Sequence, residues 1–129
     1  MKRNNAKVYY LAFSIFYLVF GLITIFYPKL MQLFQTAEGV AANTSFSDNI
    51  WLHEGMDIVS VALLGFALSS QQASAAMLRT TAIVAIMPAI AIVYSCLTTP
   101  FWSGLFFVPC IFCLGFTVWG FRLAAKVNK

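Results

Sequence analysis

Four long apolar segments constrain the fold of this chain more than any other feature. They cover approximately residues 8–27, 50–69, 77–97 and 101–124, with polar connectors between them. As an α-helix, about twenty such residues cross a bilayer core of roughly 30 Å. Hydrophobic residues make up 61% of the chain and charged residues 9%, whereas soluble domains have roughly 45–50% and about 25%. We therefore predict an all-α polytopic membrane protein, with four transmembrane helices in one bundle.

The length of 129 residues suits a single domain, which we predict to cover residues 1–129. The only sizeable loop follows the first helix. In it, Pro28 suits the first turn of a short helix, and Leu30, Leu33 and Phe34 then form one apolar stripe. We predict that this short helix lies flat on the membrane surface and that residues 36–49 form a solvated loop.

Several local signals refine the helices. Ser47 or Asp48 is expected to cap the second transmembrane helix. Pro88 predicts a kink in the middle of the third helix, because proline removes one backbone donor. Small residues at positions 82, 85 and 89 of that helix favour close contact with another helix.

The distribution of basic residues predicts the orientation. Seven of the eight lie on one side of a four-helix topology: Lys2, Arg3, Lys7, Arg79, Arg122, Lys126 and Lys129. Only Lys29 lies on the other side. By the positive-inside rule, both termini are predicted to be cytoplasmic, in what we expect to be a bacterial inner membrane. The basic residues form no continuous patch, so we expect no nucleic-acid partner.

The second apolar segment carries an unusual cluster of ionisable residues, His53, Glu54 and Asp57. Charged groups within a membrane span cost at least ~2.5–3.5 kcal/mol at its centre, so they persist with a partner or a purpose. One interpretation is a proton relay, a cation site or a ligand anchor that opens outward. The other is that the helix begins above the hydrocarbon, with only Asp57 submerged and bonded to a neighbour such as His53, Tyr94 or Thr98.

Two patterns resemble catalytic motifs but lack essential parts. The spacing of His53, Glu54 and Asp57 is similar to a zinc-protease helix, yet the second histidine is an aspartate and the chain has no other histidine. Cys110 and Cys113 are spaced as in membrane thiol oxidoreductases of the vitamin K epoxide reductase type, which need a second, loop-borne cysteine pair that is absent here. We therefore predict no catalytic residue, no metal and no cofactor, and two structural cysteines.

Aromatic residues lie toward both predicted interfaces. Trp51 and Trp102 fall near the outer interface and Trp119 near the inner one. This distribution is typical of the aromatic belts that anchor membrane proteins. Anchoring explains these residues without a quinone or pigment.

Short motifs in residues 15–70 resemble DoxX-like proteins, a broad group of small four-helix bacterial membrane proteins. They are Phe20-Gly21-Leu22, Tyr27-Pro28-Lys29-Leu30 and Leu63-Leu64-Gly65-Phe66. Where such proteins often place an arginine at the start of the second helix, this chain has His53-Glu54. The resemblance implies an accessory or assembly subunit more than an enzyme.

Two functional hypotheses follow. In the first, the chain is a non-catalytic accessory or assembly subunit that packs against other membrane subunits or against itself within the lipid bilayer. In the second, it is a small proton-coupled transporter or carrier, in which Asp57 binds the cargo or proton and His53 and Glu54 form the gate.

Overall fold

The structure is a computed structural model that describes the backbone of residues 3–43 and 45–127 and the side chains of residues 5–43 and 49–127. Its described part holds five α-helices, 3-10 segments at Pro28–Phe34 and Gly104–Phe106, and no β-strand. The α-helices are α1 (Arg3–Phe26), α2 (Ala37–Ala41), α3 (Ser45–Ser69), α4 (Ala75–Thr98) and α5 (Phe107–Val127). All but α2 are long and apolar enough to cross a membrane. The predicted all-α bundle of four transmembrane helices is confirmed.

The four long helices form two antiparallel hairpins. In the first hairpin α1 packs along α3, and in the second α4 packs along α5. The hairpins meet mainly where α1 contacts α5, whereas α3 and α4 barely touch. We call the end of the bundle that holds α2 and the α4–α5 turn the loop end. The opposite end, with the chain termini, is the terminal end.

The first hairpin depends on two glycines that let the backbones approach closely. A Cβ added to Gly55 of α3 would lie 2.6 Å from Cγ1 of Ile25 and 3.0 Å from the carbonyl oxygen of Gly21 on α1. A Cβ on Gly21 would lie 3.0 Å from the carbonyl oxygen of Gly55. Helices in lipid associate through such small-residue contacts, since lipid tails are as apolar as the side chains.

The second hairpin uses small side chains in the same way. Ala82, Ala85 and Ala89 of α4 are buried, as expected from the sequence. At the terminal end, Gly120 of α5 leaves room for the Tyr9 hydroxyl of α1, which a Cβ there would meet at 2.6 Å. Tyr9 also packs edge-on against Trp119, at 5.4 Å between ring centroids. These contacts join the first hairpin to the second.

Hydrogen bonds between the two connectors organise the loop end. The Thr36 amide donates to the Phe101 carbonyl and the Ser103 amide to the Phe34 carbonyl, each at 2.8 Å. These bonds flank an isolated β-bridge between Gln35 and Trp102, so α5 begins at Phe107 and not near residue 101 as predicted. Pro109 therefore falls in the first turn of α5, where its missing N–H removes no helical hydrogen bond.

The solvated loop predicted for residues 36–49 is only partly found. Thr36 caps α2 by accepting a hydrogen bond from the Gly39 amide at 3.1 Å, and Gly39 packs against the Phe101 carbonyl. The second transmembrane helix begins at Ser45, ahead of Ser47 and Asp48, so the predicted caps are wrong. The predicted short helix is a 3-10 segment that starts at Pro28.

The 3-10 segment packs onto the bundle through Met31 and Phe34, whose ring lies 6.4 Å from that of Phe20 and 5.9 Å from that of Phe106 between centroids. Met31 is buried, and its sulfur lies 3.4 Å from the Thr24 hydroxyl oxygen of α1. Leu30 and Leu33 remain exposed. This arrangement agrees with a segment that faces the membrane surface on one side and the bundle on the other.

Replacement of Gly55 by leucine is expected to destabilise the first hairpin by about 1–3 kcal/mol, because the added side chain overpacks the crossing with Gly21. The matched control is Gly115→Leu on α5, where an added Cβ meets nothing within 4 Å. Thermal or denaturant unfolding in mild detergent compares the two. Equal stability of both variants would contradict the close α1–α3 approach.

Candidate functional site

A cavity of about 550 Å³ lies between the two hairpins at the loop end, where α3 and α4 are apart. We call it the α3–α4 cleft. Ligand pockets in proteins usually measure roughly 300–1,000 Å³, so it has the size of a small-molecule site. Its lining residues are Tyr17, Phe20, Thr24, Met31, Trp51, Glu54, Asp57, Ile58, Val61, Val84, Met87, Pro88, Ala91, Ile92, Ser95, Trp102 and Phe106.

The α3 wall carries both acidic residues of the cleft. Trp51, Glu54 and Asp57 follow each other at three-residue spacing, and Ile58 and Val61 continue the same face toward the terminal end. Residues three and four apart are neighbours on a helix surface. Glu54 and Asp57 thus lie about one and two turns below Trp51. Both side chains are exposed, as is expected at the edge of an open cleft.

The floor of the cleft is formed by α1 and is polar only at hydroxyl groups that already have partners. Tyr17 donates to the Ala85 carbonyl at 3.4 Å, and its oxygen lies 3.6 Å from the Cys113 sulfur. Thr24 donates to the Phe20 carbonyl at 2.9 Å. The carboxyl groups of Glu54 and Asp57 are the acidic side chains of the lining.

The α4 wall includes the proline that predicted a kink. Pro88 lies inside α4 and has no N–H to donate to the carbonyl of Val84, one turn earlier. Both residues line the cleft. One backbone acceptor of this wall therefore lacks its helical partner.

Three aromatic side chains, which we call the aromatic cap, close the cleft at the loop end. The rings of Trp51 and Trp102 meet edge-on, with centroids 5.8 Å apart. Trp102 also stacks on Phe106 at 4.3 Å. The cap thereby connects the start of α3 to the turn before α5, and it places aromatic faces within one helical turn of Glu54.

A second cavity, of about 320 Å³, continues the separation of α3 and α4 toward the terminal end. Leu64 and Leu68 line it from α3, and Met77 and Thr80 from α4. Acidic residues are absent from its described lining. Val61 and Val84 line both cavities and lie at the boundary between them.

The structure separates the three site residues that the sequence analysis grouped together. Glu54 and Asp57 line the cleft, but His53 is exposed beside it and is not part of the lining. The Thr98 hydroxyl donates to the Tyr94 carbonyl of its own helix at 2.9 Å, so the proposed bond from Thr98 to Asp57 is not found. Within the described residues, no three His, Cys, Asp or Glu side chains converge to hold a metal ion.

The cysteine pair lies in the interface of the second hairpin. Cys110 and Cys113 are buried and form no disulfide, and the Cys110 sulfur lies 3.9 Å from the Ala89 carbonyl oxygen. Cys113 contacts Tyr17 behind the cleft. Their structural role stays a prediction, to which the close packing lends support.

Sequence reasoning missed the residues that α1 and the α4–α5 turn contribute to the cleft. Tyr17 and Thr24 lie in apolar segments without any local signal of a site. Trp102 was interpreted as a membrane anchor, although it contacts Trp51 across the two hairpins. Only the mid-helix Pro88 pointed to an irregular α4 wall.

Comparison of this chain with protein-family models, curated proteins and solved structures finds no match.

Proposed function

We propose that this chain is a small accessory or assembly subunit that packs against a larger membrane complex through the open side of α3. One observation carries the proposal: Asp57 is exposed on a membrane-spanning helix. Only 17% of the α3 span is buried, against 39% of the α1 span and 28% of the other two. The span with the lowest mean hydropathy is thus also the span with the smallest buried share.

The cost of leaving this surface in lipid supports a protein partner. An aspartate at mid-bilayer costs at least ~2.5–3.5 kcal/mol. His53 and Ser60 are exposed near it on the same helix, and the Ser60 hydroxyl donates to the Met56 carbonyl at 2.9 Å. A partner helix, from another subunit or from a second copy of the chain, would replace lipid with hydrogen-bonding groups.

The localisation that we propose is a bacterial inner membrane with both termini in the cytoplasm. Of the described residues, Lys7, Arg79, Arg122 and Lys126 belong to the parts of α1, α4 and α5 at the terminal end, and Lys2, Arg3 and Lys129 are close to them in sequence. Glu38, Asp48 and Glu54 fall in the loop-end half by position, Asp57 lies at the middle of α3, and Lys29 is the one basic residue of that half. This asymmetry follows the positive-inside rule.

The resemblance to DoxX-like proteins agrees with an accessory role. Two of its motif glycines have defined structural roles here. Gly21 lies at the α1–α3 crossing, and a Cβ on Gly65 would collide with the Ser14 hydroxyl. The shared motifs therefore correspond to helix packing in the first hairpin. Packing motifs support a scaffold similar to that of DoxX-like proteins, but they do not identify a ligand.

A small carrier is the second candidate function, and the α3–α4 cleft is the observation that favours it. Glu54 and Asp57 face an apolar cavity that reaches about half-way along the bundle. Carboxylates in such a position bind and release protons or cations in transporters. Because four helices offer little room for a transport pathway within one chain, a carrier of this size would act as an oligomer.

Replacement of Asp57 separates the two candidates. For a subunit, Asp57→Asn keeps hydrogen bonding and is tolerated, whereas Asp57→Leu lowers recovery of the complex about tenfold or more, because the hydrogen-bonding group is lost and its partner is left unpaired. For a carrier, Asp57→Asn abolishes uptake while the protein still folds.

Affinity purification in mild detergent and uptake by proteoliposomes measure these outcomes. Glu38→Leu, on exposed α2 outside the cleft, is the matched control. If both Asp57 variants behave as the unaltered protein does in every assay, a role for this residue is refuted.

The orientation is testable by cysteine labelling in intact cells, in a background with Cys96, Cys110 and Cys113 replaced by alanine. Single cysteines at exposed positions Asn5 and Ala125 are expected to be protected from an impermeant maleimide, because both lie at the terminal end. A cysteine at exposed Ala42, at the loop end, is expected to react. The reverse pattern would overturn the proposed topology.

A further inference from the structure

We propose that the α3–α4 cleft binds an amphipathic organic cation: a molecule with one positive charge on an aromatic or aliphatic body. The inference goes beyond the subunit role, and it gives the ligand class that a carrier would use at the same site. It concerns equilibrium binding only. It therefore holds or fails independently of whether the protein transports anything or assembles with a partner.

The size of the cleft argues for a small molecule as the occupant. At about 550 Å³, the cleft could hold a compact organic molecule. A transmembrane helix of about twenty residues is several times larger, so a partner helix could lie across the mouth of the cleft but could not enter it. The valines at the boundary, Val61 and Val84, also separate this cavity from the smaller one below.

The composition of the walls argues for an amphipathic body. Most of the lining is aliphatic or aromatic, from Phe20 and Met31 to Ile92 and Phe106. The hydroxyls of Tyr17 and Thr24 are already bonded within the protein. A strongly hydrated ligand, such as a sugar or a metal ion, would find few free polar partners. An apolar body would replace lipid or water without loss of hydrogen bonds.

Charge complementarity argues for a cation. Glu54 and Asp57 are the acidic groups of the lining, and the described lining contains no basic residue. The excess of acidic residues at the loop end adds attraction over a longer range. Trp51 begins the same helical face, and Trp102 contacts it. Electron-rich faces of tryptophan attract organic cations, so the aromatic cap and the carboxylates both favour a positively charged ligand.

The experiment compares two ions of nearly equal size and shape but opposite charge, tetraphenylphosphonium and tetraphenylborate. Binding to the full chain, purified in mild detergent, is measured by equilibrium dialysis against protein-free micelles. We expect saturable binding of the cation and no saturable binding of the anion. Because this comparison uses the unaltered protein, it does not depend on whether any variant folds.

Variants then locate the site. Glu54→Gln with Asp57→Asn is expected to weaken cation binding about tenfold or more, because both charges that face the ligand are removed. Trp102→Ala is expected to weaken it as well, with rescue by Trp102→Phe. The matched control, Glu38→Gln, removes an acidic residue of the same end outside the cleft and is expected to bind as the unaltered protein does.

Three results would overturn the proposal. The first is equal binding of both ions, which would show only hydrophobic partitioning. The second is unchanged binding in the double carboxylate variant with a monodisperse elution profile. The third is cation binding to the isolated chain that disappears in a complex purified from native membranes, because a partner polypeptide would then cover the mouth of the cleft and exclude the cation. If the subunit role is contradicted but cation binding follows the expected pattern, the proposed cation site is still supported.

Discussion

The close approach of backbones at glycine and alanine is the interaction on which the rest of this structure depends. In lipid, apolar side chains gain nothing by leaving solvent, so helices pair where small residues allow dense packing. Gly21 and Gly55 provide this for α1 and α3, and three alanines provide it for α4 and α5. The facing surfaces of α3 and α4 form no such contact, and large side chains there, such as Leu64 and Met87, remain exposed. The cleft lies where the dense contacts of the two hairpins end.

This separation explains why the acidic residues lie where they do. A carboxylate in a dense hairpin interface would be dehydrated without a partner, at a cost of several kcal/mol. At the edge of an open cleft near the loop end, Glu54 and Asp57 avoid that burial. The same position leaves them free for a ligand in the cleft or for a protein that covers its mouth. The two proposed roles are thus compatible, since a partner on the outer side of α3 need not fill the cavity.

The sequence predicts the parts of the fold that depend on local pattern. Segment length and hydropathy predict the four spanning helices, and the cost of charge in lipid identifies Glu54 and Asp57. Errors occur where distant parts meet. Hydrogen bonds that join Thr36 to Phe101 shift the start of α5, and they span sixty-five residues of sequence. The same holds for the pairing of Trp51 with Trp102, which no local pattern indicates. His53 was grouped with the acidic residues by spacing, but its position on the helix falls outside the cleft.

The separation of α3 and α4 is tested most directly by disulfide formation across the bundle. Cysteines replace Leu64 and Thr80, which face each other across the smaller cavity, in a background without the native cysteines. The positive control retains Cys110 and replaces Ala89 by cysteine, because these two positions touch across α4 and α5. Both variants are treated with a membrane-permeant oxidant in native membranes. If α3 and α4 are separated, the control forms a disulfide and positions 64 and 80 do not. A longer bismaleimide is expected to link positions 64 and 80. A disulfide between positions 64 and 80 as efficient as that of the control would contradict the separation of α3 and α4, on which the cleft and both roles proposed for it depend.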